Sequence, residues 1–550
     1  MKRKLIRIIL YVLTGFLLLV IALVIYIQIV AQVQPPVAED SQIGERRELG
    51  MTYYALGNNR FRKSESGLFE LYVEGAPFER GVANGRLTKE LVQHQEVVFQ
   101  AQIHRLVPSG FYLGLLRYFV GWFNRDLDES VPEEYKLEIL GVSQAASSEF
   151  DDIAPKYQRI LNYHAAHDIG HALQNMSLVG CTAFGTWGGK SEDSTLIIGR
   201  NFDFYVGDEF ARDKIVAFYN PAQGHRFMMI TWGGMTGVLS GMNQEGLTVT
   251  INASKSDIPS GSATPVSLVA REILQYASTI DEAYKIAQKR KMFVSESFLI
   301  GSAKDRKAVI IEKSPEETVL YDPGDNFIIC TNHFQSKTLG DTPLNREHVK
   351  TSASPYRYRR VEELLERDGK NSVAKTASIL RNQLGAQDKN IGLGNEKSIN
   401  QLIAHHAIIF QPEKRLVWVS TAPWQLGRFV CYDLNKVFQD KLGSDREIYE
   451  QDMTISPDPF LTSPLFPDFV KFSGYRFPFQ PRDDVQPDSL VKWNPDSYLA
   501  YLLAGDLAFH KKEYANAAKY YEQGLSKEIA NEQERDHIRK NLERCKEKLK

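Results

Sequence analysis

Cys181, Arg200 and Asp203 are the residues whose types and spacing fit one piece of chemistry. They lie in residues 177–205, SLVGCTAFGTWGGKSEDSTLIIGRNFDFY, where a cysteine directly follows Gly180 and a polar strand end returns towards it. A Gly/Ser/Asp turn over 188–194, a short apolar run over 195–198 and then Gly-Arg-Asn-Phe-Asp predict a hairpin. Its first strand begins at the cysteine, and its second brings Arg200 and Asp203 close. A thiol attacks as the thiolate, so a reactive cysteine needs a cation that lowers its pKa or a base that takes its proton. Arg200 can be the cation. If the Gly180–Cys181 bond is cut, the new α-amino group, which titrates near 8, can be the base, with Asp203 holding it by a charge-assisted hydrogen bond. The same local pattern also fits a small core cysteine beside a strand.

The run VGCT, with a short hairpin ahead of GRNFDF, resembles the self-cleaving N-terminal-nucleophile hydrolases of the isopenicillin N acyltransferase (peptidase C45) type. More distantly it is similar to choloylglycine hydrolase and penicillin V acylase. The resemblance spans about residues 68–434 and implies a chain that cuts itself between Gly180 and Cys181. The exposed Cys181 then works on linear N-acyl amide bonds. Two asparagines stand where these families keep their oxyanion donors: Asn252 ends the strand GLTVTINA, and Asn332 ends FIICTNHF. An amide aimed at a developing oxyanion stabilises it by roughly 3 to 4 kcal/mol; strand-end asparagines also simply start turns. The segment SASPYRYRRVEELL is similar to the family's serine, arginine and aromatic pattern. It puts Arg357 in register, with Arg359 and Arg360 as neighbours, to pair with acidic or asparagine groups around the nucleophile. A surface helix with scattered charge has much the same sequence.

These residues must be positioned by the segment 181–436. It reads as recurring strands (KIVAFYN, RFMMITW, GLTVTINA, SFLIGSA, AVIIEKS, HAIIF, RLVWVST) interleaved with helices at 265–278, 280–289 and 357–383. Antiparallel blocks alternating with helix pairs suit two sheets packed face to face and flanked by helices, an α+β fold. The resemblance implies the same four-layer αββα sandwich. Residues 51–180 read as the pro-segment, with the strand LFELYVEGAP, a glycine-bearing turn and helices expected to pack beside the core. Just before the scissile bond, His164, His167 and His171 share one helix face with Asp168 adjacent. Three such histidines can bind zinc, or they can pack beneath the nucleophile strand. No fourth ligand is evident nearby and the resembling families need no metal, so neither metal nor tightly bound cofactor is expected. A coenzyme A thioester remains open as an acyl donor.

The ends differ from the body. Residues 1–31 carry Lys2, Arg3, Lys4 and Arg7 ahead of an apolar run long enough to span a bilayer. They read as a membrane anchor rather than a cleaved signal peptide, placing the catalytic body on the extracytoplasmic side. Residues 32–50 read as a Pro-rich linker, and 437–487 as an irregular Pro/aromatic wrap. Residues 488–550 match a tetratricopeptide-like helical hairpin plus a capping helix, docked on the body or presented to a protein partner. The net charge of −2 and the lack of a basic tract beyond the first residues exclude nucleic acid as the expected partner. Four distant cysteines, with no CxxC pair, exclude a disulfide or zinc scaffold. The expected function is a membrane-anchored, autoproteolytic amidohydrolase or acyltransferase with a small-molecule N-acyl substrate. The alternatives are a ceramidase-like lipid-amide hydrolase, a silent scaffold, or a thiol enzyme that never cleaves itself and uses His333 or a histidine of the preceding helix as base.

Overall fold

The computed structural model describes residues 2–39, 41, 43–173, 180–257, 261–444, 446–476 and 484–550. In chain order the strands are β1 (Arg47–Gly50), β2 (Tyr53–Leu56), β3 (Asn59–Lys63), β4 (Phe69–Gly75), β5 (Thr182–Thr186), β6 (Ile197–Phe202), β7 (Ile215–Pro221), β8 (Phe227–Thr231) and β9 (Ser240–Asn243). They continue as β10 (Leu247–Ala253), β11 (Glu296–Ser302), β12 (Lys307–Lys313), β13 (Thr318–Tyr321), β14 (Phe327–Cys330), β15 (His406–Gln411), β16 (Leu416–Ser420), β17 (Phe429–Asp433) and β18 (Tyr449–Ile455). One sheet has eleven strands in the order β1-β2-β3-β4-β7-β8-β9-β10-β11-β12-β13, and the other has seven in the order β14-β5-β6-β15-β16-β17-β18.

Period-two alternation decides the layers. Val216, Phe218, Leu299 and Ile310 of the large sheet meet Ala183, Ile198, Ile408 and Val417 of the small one in a single apolar cluster. The alternate residues of the large sheet, such as Ala217, Val249 and Phe298, face the helices Val266–Tyr276 and Ile280–Lys289. Those of the small sheet, Phe184, Ile197 and Ile409, face Ser354–Arg367 and Val373–Leu380. The result is a four-layer αββα sandwich. The helix Ile280–Lys289 shows how the outer layer is specified: Thr279 and Glu282 form a capping box, and Ile280, Ala283 and Ala287 face inward.

The segment before Cys181 does more than pack beside the core. It supplies β1 to β4, and β4 pairs in parallel with β7, so the large sheet is incomplete without it. Its helices Pro77–Leu87 and Glu133–Ser143 touch through glycine: a Cβ at Gly141 would sit 2.5 Å from the Val82 nitrogen. Buried Glu138 binds Arg80 and Arg271, the latter from Val266–Tyr276.

Three other expectations are corrected. The last linker residues form β1, hydrogen-bonded to β2. Residues 437–487 are not an irregular wrap: β18 extends the small sheet beside β17, and Leu465–Arg476 is a helix burying Phe469 and Phe472. The αββα body thus runs past residue 436, because β18 supplies ladder bonds that an irregular segment lacks. The expected helix 357–383 is two, Ser354–Arg367 and Val373–Leu380, the second capped by Ser372. The helices Tyr498–His510, Tyr514–Leu525 and Glu532–Leu549 lie against the body, where Asn395 donates to the Glu528 carbonyl at 2.9 Å and Lys397 pairs with Glu528 at 2.7 Å. At the N-terminus, Lys4–Val30 is apolar and long enough to cross a membrane, with a mean hydropathy of 3.1, as an anchor or a signal sequence.

Candidate active site

Cys181 sits at the head of β5, between β14 and β6 in the small sheet. Ala183 pairs with Arg200, and alternation from Ala183 and Ile198, both in the inter-sheet core, turns Cys181 and Arg200 into the gap between the sheets. The Arg200 guanidinium lies 3.7 Å from Cys181 Sγ. It also donates to the Leu239 carbonyl at 3.2 Å, to Ser240 Oγ and to the Ile251 carbonyl, and it lies over the Phe202 ring at 4.3 Å. One buried cation therefore joins the Cys181 thiol to the facing sheet.

The peptide before Cys181 is held as firmly. Gly180 donates its N–H to the Asp203 carbonyl at 2.9 Å. Its own carbonyl accepts two bonds, from Gln401 Nε2 at 2.6 Å and from an Arg357 terminal nitrogen at 3.1 Å. Two donors converging on one carbonyl oxygen form the geometry that stabilises an oxyanion. A Cβ at Gly180 would come 2.4 Å from Gln401 Nε2, so a larger residue here would displace that amide.

Of the three neighbouring arginines, Arg357 reaches the site. Its other terminal nitrogen donates to Asn332 Oδ1 at 2.7 Å, whereas Arg360 binds Glu363 and Asp388 and Arg359 is exposed. Asn332 Nδ2 donates to the Ala253 carbonyl at 3.0 Å, and Asn252 Nδ2 donates to the Cys330 and Thr331 carbonyls at 2.8 and 3.3 Å. With the Gly180–Cys181 bond intact, the two asparagines lock the ends of β10 and β14 together. Both hydrogens of Asn252 Nδ2 are engaged in this way.

Charge follows burial. Cys181 is 1% exposed, and burial pushes its thiol up to about 11 against the pull of Arg200. Burial likewise raises Asp203 to about 7, opposed by Arg357 and Arg200. Asp203 Oδ2 lies 3.5 Å from Gln401 Nε2, and its Oδ1 has no hydrogen-bond partner among the described residues. Among the described residues, no histidine bonds the thiol. His333 Nδ1 is engaged by Ser354 Oγ at 2.8 Å and Thr331 Oγ1 at 3.1 Å, and His164 bonds the Ile160 carbonyl and Thr236. Asp168 Oδ2 accepts from the Val266 N–H at 2.8 Å. The side chains of His167 and His171 lie outside the described residues.

Reading from sequence missed Gln401 and Ser240. Gln401 stands in an irregular run just before β15 that carries no periodic pattern, and Ser240 opens a four-residue strand.

Fold and site together define the chain's body as an αββα sandwich with a buried cysteine beside an arginine between its two sheets. In the sequence comparison, residues 189–422 match the family model of acyl-coenzyme A:6-aminopenicillanic acid acyl-transferase, from the turn after β5 to just past β16. An uncharacterized protein of Archaeoglobus fulgidus is 23% identical over 269 residues, 46% of this chain and 44% of that protein. Protein dcd1A of Dictyostelium discoideum is 23% identical over 282 residues, 46% of this chain and 60% of that protein. The chain thus spans about half the length of these curated relatives. Among solved structures, it is similar to a Caenorhabditis elegans N-acylethanolamine-hydrolyzing acid amidase ortholog at 17% identity and a TM-score of 0.31, covering 42% of this chain and 93% of that one. It is also similar to a conjugated bile acid hydrolase from Clostridium perfringens at 13% identity and a TM-score of 0.31, covering 46% and 93%.

Proposed function

We propose that this chain cuts itself between Gly180 and Cys181 and then acts as an amidohydrolase or acyltransferase through an acyl-thioester on Cys181. The observation that carries the reading is the Gly180 carbonyl, held by Gln401 and Arg357 with the Cys181 thiol beside Arg200. In the first step the Cys181 thiolate attacks the Gly180 carbonyl carbon. Negative charge moves onto the oxygen that Gln401 and Arg357 already hold. Collapse breaks the C–N bond, the Cys181 nitrogen takes up a proton, and water hydrolyses the thioester to give the Gly180 carboxylate and a free N-terminal cysteine.

The cut changes the chemistry of the site. With its thiol at about 11, the intact chain holds on the order of one thiolate in ten thousand at pH 7. Cleavage supplies an α-amine that titrates near 8 as general base, with the Asp203 carboxylate available to hold it. The thiolate then attacks an N-acyl substrate, the α-ammonium protonates the leaving amine, and water or an acceptor amine resolves the thioester. Asn252 and Asn332 take the oxyanion role in this second reaction: Asn332 Nδ2 has one hydrogen left to turn to the substrate, and Asn252 Nδ2 must first give up its longer bond, to the Thr331 carbonyl. No metal or bound cofactor takes part, and a coenzyme A thioester can serve as acyl donor. The basic residues ahead of the apolar helix keep that end in the cytoplasm and the body on the extracytoplasmic side.

The test is acyl trapping. Processed chain incubated with N-acyl p-nitroanilides of varied chain length should release nitroaniline in a burst and gain the acyl mass on the fragment that begins at Cys181. Processed chain that shows neither release nor adduct across the panel would point to the silent scaffold instead.

A further inference from the structure

The helix Gly110–Phe123, GFYLGLLRYFVGWF, is apolar on both faces. Leu113, Leu116 and Val120 are half-buried and Phe123 is buried. On the other side Phe111, Leu115, Phe119 and Trp122, spaced four, four and three apart, form one stripe that is 74, 51, 41 and 37% exposed. A helix on a water-washed surface has one apolar face, and a second leaves apolar area in water at about 25 cal/mol per Å². Arg117, the one charged residue of this helix, lies off the stripe.

Its neighbour indicates what covers the stripe. Gln28 of the N-terminal apolar helix donates to Tyr118 Oη at 3.4 Å, and a Cβ on Gly121 would lie 2.9 Å from that of Ala31. Val33 and Phe123 share one apolar cluster. In the N-terminal helix Val24, Ile27 and Val30, three apart, are half-buried while most other positions are exposed. The stripe helix therefore lies beside the last two turns of the span, the level at which hydrocarbon gives way to headgroups. Tyr112, Tyr118 and Trp122, with Arg125 stacked on Trp122 at 4.6 Å, are the residue types that favour that boundary.

We propose that the helix Gly110–Phe123 is a second membrane element, seated in the leaflet next to the body with its Phe111/Leu115/Phe119/Trp122 stripe in lipid. Its 14 residues reach about 21 Å, too short to cross, so it lies along the boundary as an interfacial helix does. The body is then fixed to the bilayer at two points, which sets its orientation. The proposal rests on the N-terminal helix being retained as an anchor.

The experiment uses the full chain carrying Cys181→Ala, reconstituted in phosphatidylcholine vesicles. The remaining native cysteines are buried. Nitroxides are attached one at a time at Phe111→Cys, Leu115→Cys, Leu17→Cys in the span and Lys436→Cys on the body. Power saturation compares collision with oxygen, which partitions into lipid, and with a water-soluble nickel chelate. Positions 111 and 115 should show an oxygen-to-nickel ratio several-fold above position 436 and close to position 17. Ratios at 111 and 115 equal to that at 436 would overturn the proposal, as would broadening between copies in place of lipid contact. Lipid contact at 111 and 115 with position 17 in water would refute the anchor while leaving the stripe helix in the bilayer.

Discussion

Replacing Gln401 by alanine removes the shorter of the two bonds to the Gly180 carbonyl, 2.6 Å against 3.1 Å for Arg357, and little else. Its Nε2 also lies 3.5 Å from Asp203 Oδ2, a weak contact. Arg357 is a less clean probe, because removing it also strips Asn332 Oδ1 of its donor. Loss of one oxyanion donor costs about 2.7 to 4 kcal/mol, a factor of about 100 to 1000 in rate. Self-cleavage in Gln401→Ala should slow by that factor, so freshly purified protein should be largely uncut and convert over hours to days. Intact mass against time after purification gives the rate, and circular dichroism checks that the variant is folded. Gln401→Glu, which sets a carboxylate beside the developing oxyanion, should be at least as slow. Gln401→Ala that is fully cut as early as wild type would refute the assignment of the Gly180 carbonyl as the prepared oxyanion.

Further outcomes follow from the same geometry. Gly180→Ala, whose Cβ would press within 2.4 Å of Gln401 Nε2, should also accumulate uncut chain on gels. Because burial holds the Cys181 thiol at about 11, the cleavage rate should climb steeply from pH 6 to pH 8 as the thiolate fraction grows, and a flat profile would contradict a thiolate attack. Asp203, raised from 3.8 to about 7 by burial, favours the fold while protonated. That contribution is full below about pH 4 and lost as pH rises through 7, so Asp203→Asn should gain stability relative to wild type between pH 6 and pH 8, by at most about 4 kcal/mol, measured by denaturant melts of uncut Cys181→Ala chains. After cleavage the two fragments should co-elute in native gel filtration and part only in denaturant, since β4 is laddered to β7 and Glu138 is buried against Arg271.

The αββα body was legible because its strands are continuous apolar runs bounded by turns, and because the motifs around Cys181, Asn252 and Asn332 keep their order. What escaped was set by pairing across long separations. β1 to β3 are only four or five residues long, too short for a clear periodic signal, and they become strands because the β4 edge offers a ladder. β18 is largely polar and exists because β17 lies beside it. At the site, Arg200 and Asp203 were visible because they lie on the hairpin partner of β5. Gln401 was not, since a glutamine in an irregular run carries no local signal and meets Gly180 across 221 residues of chain.

Intact mass with N-terminal sequencing of the purified chain, wild type beside Cys181→Ala, tests self-cleavage most directly. Wild type should give two fragments, the second beginning Cys181-Thr182-Ala183, and the variant should stay whole. Wild type that persists as one chain with an intact Gly180–Cys181 bond would contradict it.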